Sequence, residues 1–390
     1  MRRVYLDNNA STPVLPAVFE AMKPFYLERF GNASSIHHYG QHARAAVERA
    51  RASVAALLNA RPAEIVLTSG GTESDNLGIF GFVSKGDHVI TSTIEHSAVL
   101  NTCKRLEQMG CEVTYLPVNH RCEVDPGDVR KALRPATKLI SIMMANNETG
   151  VLQPVEEIGR IAKEADVFFH SDAIQAAGKV PVDVQKIGCD ALSISGHKIH
   201  GPQGTGALFV KKGTLIQPLL YGGNHERQRR AGTENLPGIV GLGKAAEISR
   251  EWLANDGPAE MAAMRHHLED ALLRAMNGDG VGVNGEGASR VPNTTNIYVD
   301  HIEGEALVIA LDLKGLAVSS GAACSSGAIE PSHVLLAMGV PNHRARGSIR
   351  ISLGKQTTQE EVDIAVHLIP ETVARLREIS PVYQKQPVGS

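Results

Sequence analysis

Between residues 40 and 250, short apolar runs alternate with longer amphipathic stretches, and this alternation limits the possible folds more than any other feature. The runs EIVLTS (64–69), HVITST (88–93), KLISIMM (138–144), VFFHSD (167–172) and ALSIS (191–195) are candidate strands. They are mostly apolar and separated by helix-length segments, which predicts a parallel sheet covered on both faces. In HARAAVERARASVAALLNA, the residues Ala43, Ala46, Val47, Ala50, Val54, Leu57 and Leu58 fall at helical spacing. The last third reads differently. GSIRISLG sets Ile349, Ile351 and Leu353 on one face and Ser348, Arg350 and Ser352 on the other, a strand pattern. TTQEEVDIAVHLIPETVARLREIS begins with a capping-box pair, Thr358 and Glu361, and predicts a helix that Pro370 kinks or breaks. The expected architecture is α/β, with a large domain over residues 16–251 and a smaller α+β domain over 252–390; residues 1–15 could pack against either unit and are assigned to the smaller one.

Bulk properties narrow the partners. A chain of 390 residues can bury a sizeable core without covalent staples. The formal net charge is −3, so no overall field favours nucleic acid or an anionic membrane, and neither is an expected partner. No apolar run is long enough to span a bilayer, and MRRVYLDNNAST has no apolar leader core. The five cysteines, Cys103, Cys111, Cys122, Cys189 and Cys324, are odd in number, lack a CxxC and match no zinc framework. The chain reads as soluble, cytoplasmic and free of disulfides. Neither His37-His38 nor His266-His267 suggests a metal site, because adjacent residues on a helix do not share a face.

Each candidate strand stops in a burst of polar or glycine residues: GGTESDN, IEHS, ANNETG, AIQ and GHKIHGPQGTG. Ligands of open parallel sheets bind outside the carboxyl ends of the strands, so five such bursts describe one pocket. Gly71 and Thr72 would suit a phosphate at a helix N-terminus, although an isolated Gly-Gly also serves as a plain strand–helix turn. The stretch is neither GxGxxG nor GxxxxGK[ST], which counts against a dinucleotide or a Walker site. Lys198 ends a strand ahead of a glycine-rich segment; if desolvated it is a nucleophile able to form a Schiff base, and otherwise it is a surface lysine. Asp172 closes a very apolar run and calls for a cationic partner. His96 either packs in the core or stacks on a ring. A phosphate cradle, a Schiff-base lysine, an aspartate for a ring nitrogen and a stacking imidazole together meet the needs of pyridoxal 5'-phosphate. The lone thiol of SSGAACSSG (319–327) has no bulky or charged neighbour in sequence.

Over essentially its whole length the chain resembles the NifS/IscS-type cysteine desulfurases, fold-type I pyridoxal phosphate enzymes of the class-V aminotransferase family. YLDNNAST, TSGGTESDN, IEHSAV, NNETGVLQP, SDAIQ, SGHKIHGPQG, RRAGTEN, SSGAACSSG and IRISLG occur in the family's order. The resemblance implies a mainly parallel seven-stranded sheet in the large domain, and a small domain carrying the catalytic-cysteine loop at about 319–330. It implies that Lys198 holds the cofactor as a Schiff base, His96 stacks on its ring, Asp172 pairs with the ring nitrogen and Gln175 bonds the phenolic oxygen. Gly71, Thr72, Ser195 and His197 would hold the phosphate, and Thr233 would reach the phosphate of the other subunit, which implies a homodimer. Asn147 would line the cofactor and, with Arg350, hold the substrate carboxylate; Asn32 would line the entrance.

The implied reaction takes sulfur from L-cysteine, leaving L-alanine and a persulfide on Cys324. The sulfur passes to an acceptor such as an iron–sulfur scaffold protein, with which Cys324 could transiently ligate a cluster. The other four cysteines read as structural. Ala33, His200, Asn224 and Gln228 depart from the family's usual residues, and none of them removes a catalytic group. The tail SPVYQKQPVGS reads as a docking segment for the acceptor. The alternatives are a selenocysteine lyase, an aminotransferase or another β-eliminating enzyme on the same cofactor, a non-catalytic sulfur-relay scaffold, and a cysteine hydrolase.

Overall fold

The computed structural model describes residues 3–277, 280–320 and 330–379, so Cys324 and the tail from residue 380 onward lie outside the described residues. The first two-thirds of the chain contributes β1 (Val4–Tyr5), β2 (Ile65–Thr68), β3 (His88–Ser92), β4 (Glu112–Leu116), β5 (Thr137–Ser141), β6 (Phe168–Asp172), β7 (Ala191–Ser195) and β8 (Gly206–Val210). Strands β2 to β8 form one seven-stranded sheet in the order β2-β8-β7-β6-β5-β3-β4. β8 is antiparallel to both of its neighbours, and the remaining pairings are parallel.

Both faces of this sheet are buried, which is why its strands read as continuous apolar runs. Ile65, Leu67, Ile90, Ile140, Phe169, Leu192 and Phe209 enter one core, with Val47, Val54, Ile158, Ile161 and Leu242 from helices His38–Leu57, Val155–Glu164 and Leu236–Ala254. Val66, Val89, Leu139, Ala191 and Leu208 enter the opposite core, with Leu77, Val99 and Leu106 from helices Gly71–Phe80 and Ser97–Gln108. Two of the seven strands were not anticipated. β4 is an edge strand of mixed polarity and mostly partial burial, and β8 follows directly on the glycine-rich segment after Lys198.

The last third contributes β9 (Val281–Val283), β10 (Thr294–Val299), β11 (Leu316–Ala317), β12 (Ser319–Ser320) and β13 (Ser348–Ser352). They form an antiparallel sheet, β12-β13-β10-β9, and a short parallel pair of β1 with β11. Ile349, Ile351 and Leu353 join a second core with Leu268 and Leu272 of helix Gly257–Ala275, Val362 and Ile369 of helix Gln359–Ile379, and Val4 and Leu6. The capping box is present: Glu361 N–H donates to Thr358 Oγ1 at 3.3 Å and Thr358 N–H to Glu361 Oε2 at 3.0 Å. Helix Gln359–Ile379 runs through Pro370 without a break. A further apolar cluster joins Val334, Leu335 and Met338, late in the chain, to Ile94, Cys122, Met143 and Val151.

Residues 7–15 strap the two cores together. On one side Asn9 N–H donates to Ser352 Oγ at 2.9 Å and Asn8 Nδ2 to the Ser352 carbonyl at 2.9 Å. On the other, Thr12 N–H donates to the His197 carbonyl at 2.9 Å and His200 N–H to Thr12 Oγ1 at 2.8 Å.

Candidate active site

The carboxyl ends of β2, β3, β5, β6 and β7 open onto one cavity of about 260 Å³. It gathers Gly71, Thr72, His96, Asn147, Asp172, Gln175, Ser195, His197 and Lys198. Asn32 and Thr233 lie elsewhere, in a separate cavity of about 720 Å³ bordered by Arg51 and Glu226. Arg350 bonds Asn147 on the near cavity's wall, its Nη1 donating to the Asn147 carbonyl at 3.0 Å.

One end of the cavity is built for an anion. Helix Gly71–Phe80 begins there, after Gly70 turns the chain at φ +153°. Its leading N–H groups and its dipole both favour negative charge. Ser195 Oγ, on a residue 2% exposed, has no hydrogen-bond partner among the described residues. A buried hydroxyl without a partner is costly unless a ligand completes it. Gly206 explains how close the turn lies: a Cβ there would stand 2.7 Å from Gly70 Cα and 2.8 Å from the Ile194 carbonyl oxygen.

Lys198 holds the middle. Its Nζ donates to the carbonyls of Asn9 at 2.5 Å and Ala10 at 2.8 Å. Burial and then the Arg350 charge push its pKa down to about 8, against the opposing pull of Asp172 and Asp7. An amine so placed is partly free base near neutrality, as a Schiff-base nucleophile requires.

At the other end, Asp172 Oδ1 accepts the Ile174 N–H at 2.8 Å. Burial raises its pKa to about 6, while that bond and Lys198 lower it. Behind it, burial and the Asp172 charge raise Asp75 well above the usual carboxylate range, and burial raises Glu95 to about 8. Asp172 has the cation and the backbone donor, so it is the ionised member of this set, and Asp75 holds the proton. His170 does not offset them, because burial lowers its pKa to about 3 and keeps it neutral.

His96 caps helix Ser97–Gln108: its Nδ1 accepts the Ala98 N–H at 3.1 Å. In the neutral ring the proton therefore sits on Nε2. The surrounding protein, then Lys198 and His333, hold its pKa below the ordinary value. His333 donates through Nε2 to the Glu95 carbonyl at 3.1 Å, and Ser332 Oγ donates to Glu148 Oε2 at 2.5 Å. These bonds fix Ser332 and His333 against the segments that follow β3 and β5. β12 pairs Ser319 with Arg350. Arg350 is 8% exposed; its Nη2 donates to Asp7 Oδ1 at 2.7 Å, and its Nε has no partner among the described residues.

Sequence reasoning did not single out Asp7, Asn9, Glu148 or Lys179. The first three stand inside quoted motifs, YLDNNAST and NNETG, and that was their only signal. Lys179 gave none: it follows AAG in an apolar stretch, and its partner Asn9 is 170 positions away. The departure at His200 also finds a reason. It sits at φ +66°, donates through Nδ1 to the Pro13 carbonyl at 3.0 Å and accepts the Lys355 N–H at 3.2 Å through Nε2, tying both sides of the strap. Cys103, Cys111, Cys122 and Cys189 are buried free thiols, and burial pushes Cys103 and Cys122 up to about 12.

Residues 4–364 match the aminotransferase class-V family. The cysteine desulfurase IscS of Dictyoglomus turgidum is 48% identical, over 98% of this chain and 98% of that protein. The cysteine desulfurase IscS of Methanosarcina thermophila is 49% identical, over 99% of this chain and 95% of its own length. Among solved structures, a NifS-like protein superposes with a TM-score of 0.88 at 40% identity, covering 96% of this chain and all of that one. SspA in complex with cysteine superposes with a TM-score of 0.80 at 38% identity, covering 91% of this chain and all of that one.

Proposed function

The chain belongs to the class-V aminotransferase family and, through full-length relatives at 48% and 49% identity, to its cysteine desulfurases; on that premise we propose how its residues carry out the reaction. L-cysteine and the Cys324 thiol give L-alanine and a Cys324 persulfide, with pyridoxal 5'-phosphate joined to Lys198. The observation that carries this reading is the single cavity joining a low-pKa lysine, an ionised buried aspartate, a buried hydroxyl without a partner and a helix N-terminus.

The residues fit the cofactor. Gly71, Thr72, Ser195 and His197 would take the phosphate, Asp172 the ring nitrogen, Gln175 the phenolic oxygen and His96 the ring face. When bound, the cofactor supplies the electron sink that acidifies the substrate Cα–H and loosens its C–S bond. Arg350, held by Asp7, binds the substrate carboxylate with Asn147, and this orients the Cα–H bond. With the cofactor bound to substrate, the Lys198 amine would be the base placed to take and hold the Cα proton. His96 donates from Nε2, because Nδ1 is held by the Ala98 N–H. Cys324 attacks the substrate sulfur; its role rests on the SSGAACSSG motif.

The active form is a homodimer. Phe19, Tyr26, Leu27, Phe30, Ile36 and Tyr39 lie exposed on one stretch of chain, and a partner covering them would explain so much open apolar surface. Thr233, remote from its own Lys198 cavity, would complete the partner's phosphate site. The existence of two main cores supports a domain division at residues 16–251 against 1–15 and 252–390. The protein acts in the cytoplasm, and the persulfide sulfur goes to an iron–sulfur scaffold or a similar acceptor. The test is a single turnover with L-cysteine and no reductant. Stoichiometric alanine and one added sulfur on Cys324, both lost in Cys324→Ala, are expected; pyruvate or free sulfide without a persulfide would replace this reading with a β-eliminating lyase.

A further inference from the structure

Lys179 is a buried lysine that nothing in the proposed reaction uses. It is 6% exposed, and no carboxylate among the described residues bonds it. Burial, with the charges of Lys198, Arg350 and Lys355, drives its pKa well below that of an ordinary lysine. A lysine held at that cost needs a compensating role.

Its contacts supply one. Lys179 Nζ donates to Gln175 Oε1 at 2.5 Å and to Asn9 Oδ1 at 3.0 Å. The Gln175 amide in turn donates through Nε2 to the Asn9 carbonyl at 3.0 Å. Rotating that amide by half a turn would set its NH2 against the Lys179 donor and its oxygen against the Asn9 carbonyl. Both contacts would become repulsive, so one orientation is enforced. This holds whether Lys179 is charged or neutral, since the amine keeps N–H groups for both acceptors, and the Lys179 contact adds to the Asn9 carbonyl in opposing the flip. The second Nε2–H of Gln175 has no acceptor among the described residues, and Gln175 lines the cavity.

We propose that Lys179 is a positioning residue which locks the Gln175 amide so that it offers the cavity a hydrogen-bond donor, and so selects a ligand bearing an anionic oxygen there. This rests on the pyridoxal phosphate reading, in which that oxygen is the ring phenolate. A donor fixed on the phenolate lowers the pH at which the Lys198-bound chromophore loses its proton.

The test is a pH titration of the visible absorption of the holoenzyme. Lys179→Met should raise the midpoint by about one pH unit, the value of one hydrogen bond to a charged oxygen. Gln175→Ala should raise it similarly, and the double variant no further, because Lys179 acts through Gln175. Lys179→Gln, which keeps a donor amide, is the second variant should Lys179→Met fold poorly, and should stay close to the parent. In parallel, apoprotein should bind pyridoxal 5'-phosphate more tightly than its 3-deoxy analogue, and Lys179→Met should lose that preference. A yellow parent with an unshifted Lys179→Met overturns this inference alone, as does a shift that persists in the Gln175→Ala background. A parent that takes up no pyridoxal phosphate overturns the proposed function and the inference with it.

Discussion

Lys198 lies among charges of both signs: Arg350 presses its proton off, and Asp172 and Asp7 hold it on. Burial and Arg350 win, and the amine ends near pKa 8. Relative to an ordinary lysine, this leaves roughly a few hundredfold more free base at neutral pH. The rate at which apoprotein takes up pyridoxal phosphate should therefore rise with pH and level off above about 8. The same shift has a sign for stability. Between about 8 and the ordinary lysine value the unfolded chain binds more protons here, so the lysine destabilises apoprotein fully below pH 8 and the penalty fades as pH rises. Chemical denaturation of apoprotein across that range, compared with Lys198→Met, measures it. Lys198, Asp172 and His96 were legible in the sequence because each lies at, or within four residues past, the carboxyl end of an apolar strand. Asn9 and Lys179 were not, because their work consists of contacts between segments far apart in the chain.

At the scale of the elements, the anion end depends on β8 passing close beneath the turn at Gly70. Gly206→Ala would set a Cβ 2.7–2.8 Å from the backbone of Gly70 and Ile194, with no flexible side chain to give way. It should cost about 1–3 kcal/mol of stability and release pyridoxal phosphate on dialysis. Gly71→Ala would meet only the tip of Ile174, which can move, so the milder effect is expected there. Thermal unfolding and retained cofactor absorbance separate the two. β8 was also one of the strands the sequence hid. Five strands announced themselves as apolar runs after helices, but β8 follows a glycine-rich turn and runs antiparallel, so no crossover helix marked it.

At the scale of the whole molecule, a buried ion pair holds the segment that carries Thr233. Arg51 and Glu226 bond at 2.6 and 2.8 Å, with side chains 6% and 4% exposed. Glu226, Arg227 and Gln228 all sit at positive φ, a strained turn that needs such an anchor. Arg51→Ala would strand the Glu226 charge and should cost about 3–5 kcal/mol. In the proposed dimer it should also weaken cofactor retention, read by sedimentation and by absorbance. The departure at Gln228 belongs to this turn, where glycine would adopt φ +67° without strain.

The strap at residues 7–15 bonds Ser352 on one core and His197 and His200 on the other, and the Lys198 cavity opens beside it. The two main cores are separate apolar clusters, so in apoprotein one can melt before the other. A bound cofactor favours only states in which every wall of its cavity is intact, by mass action. Filling the cavity therefore fuses two cooperative units into one: calorimetry should record two overlapping heat-absorption peaks for apoprotein and a single, higher peak for the loaded enzyme.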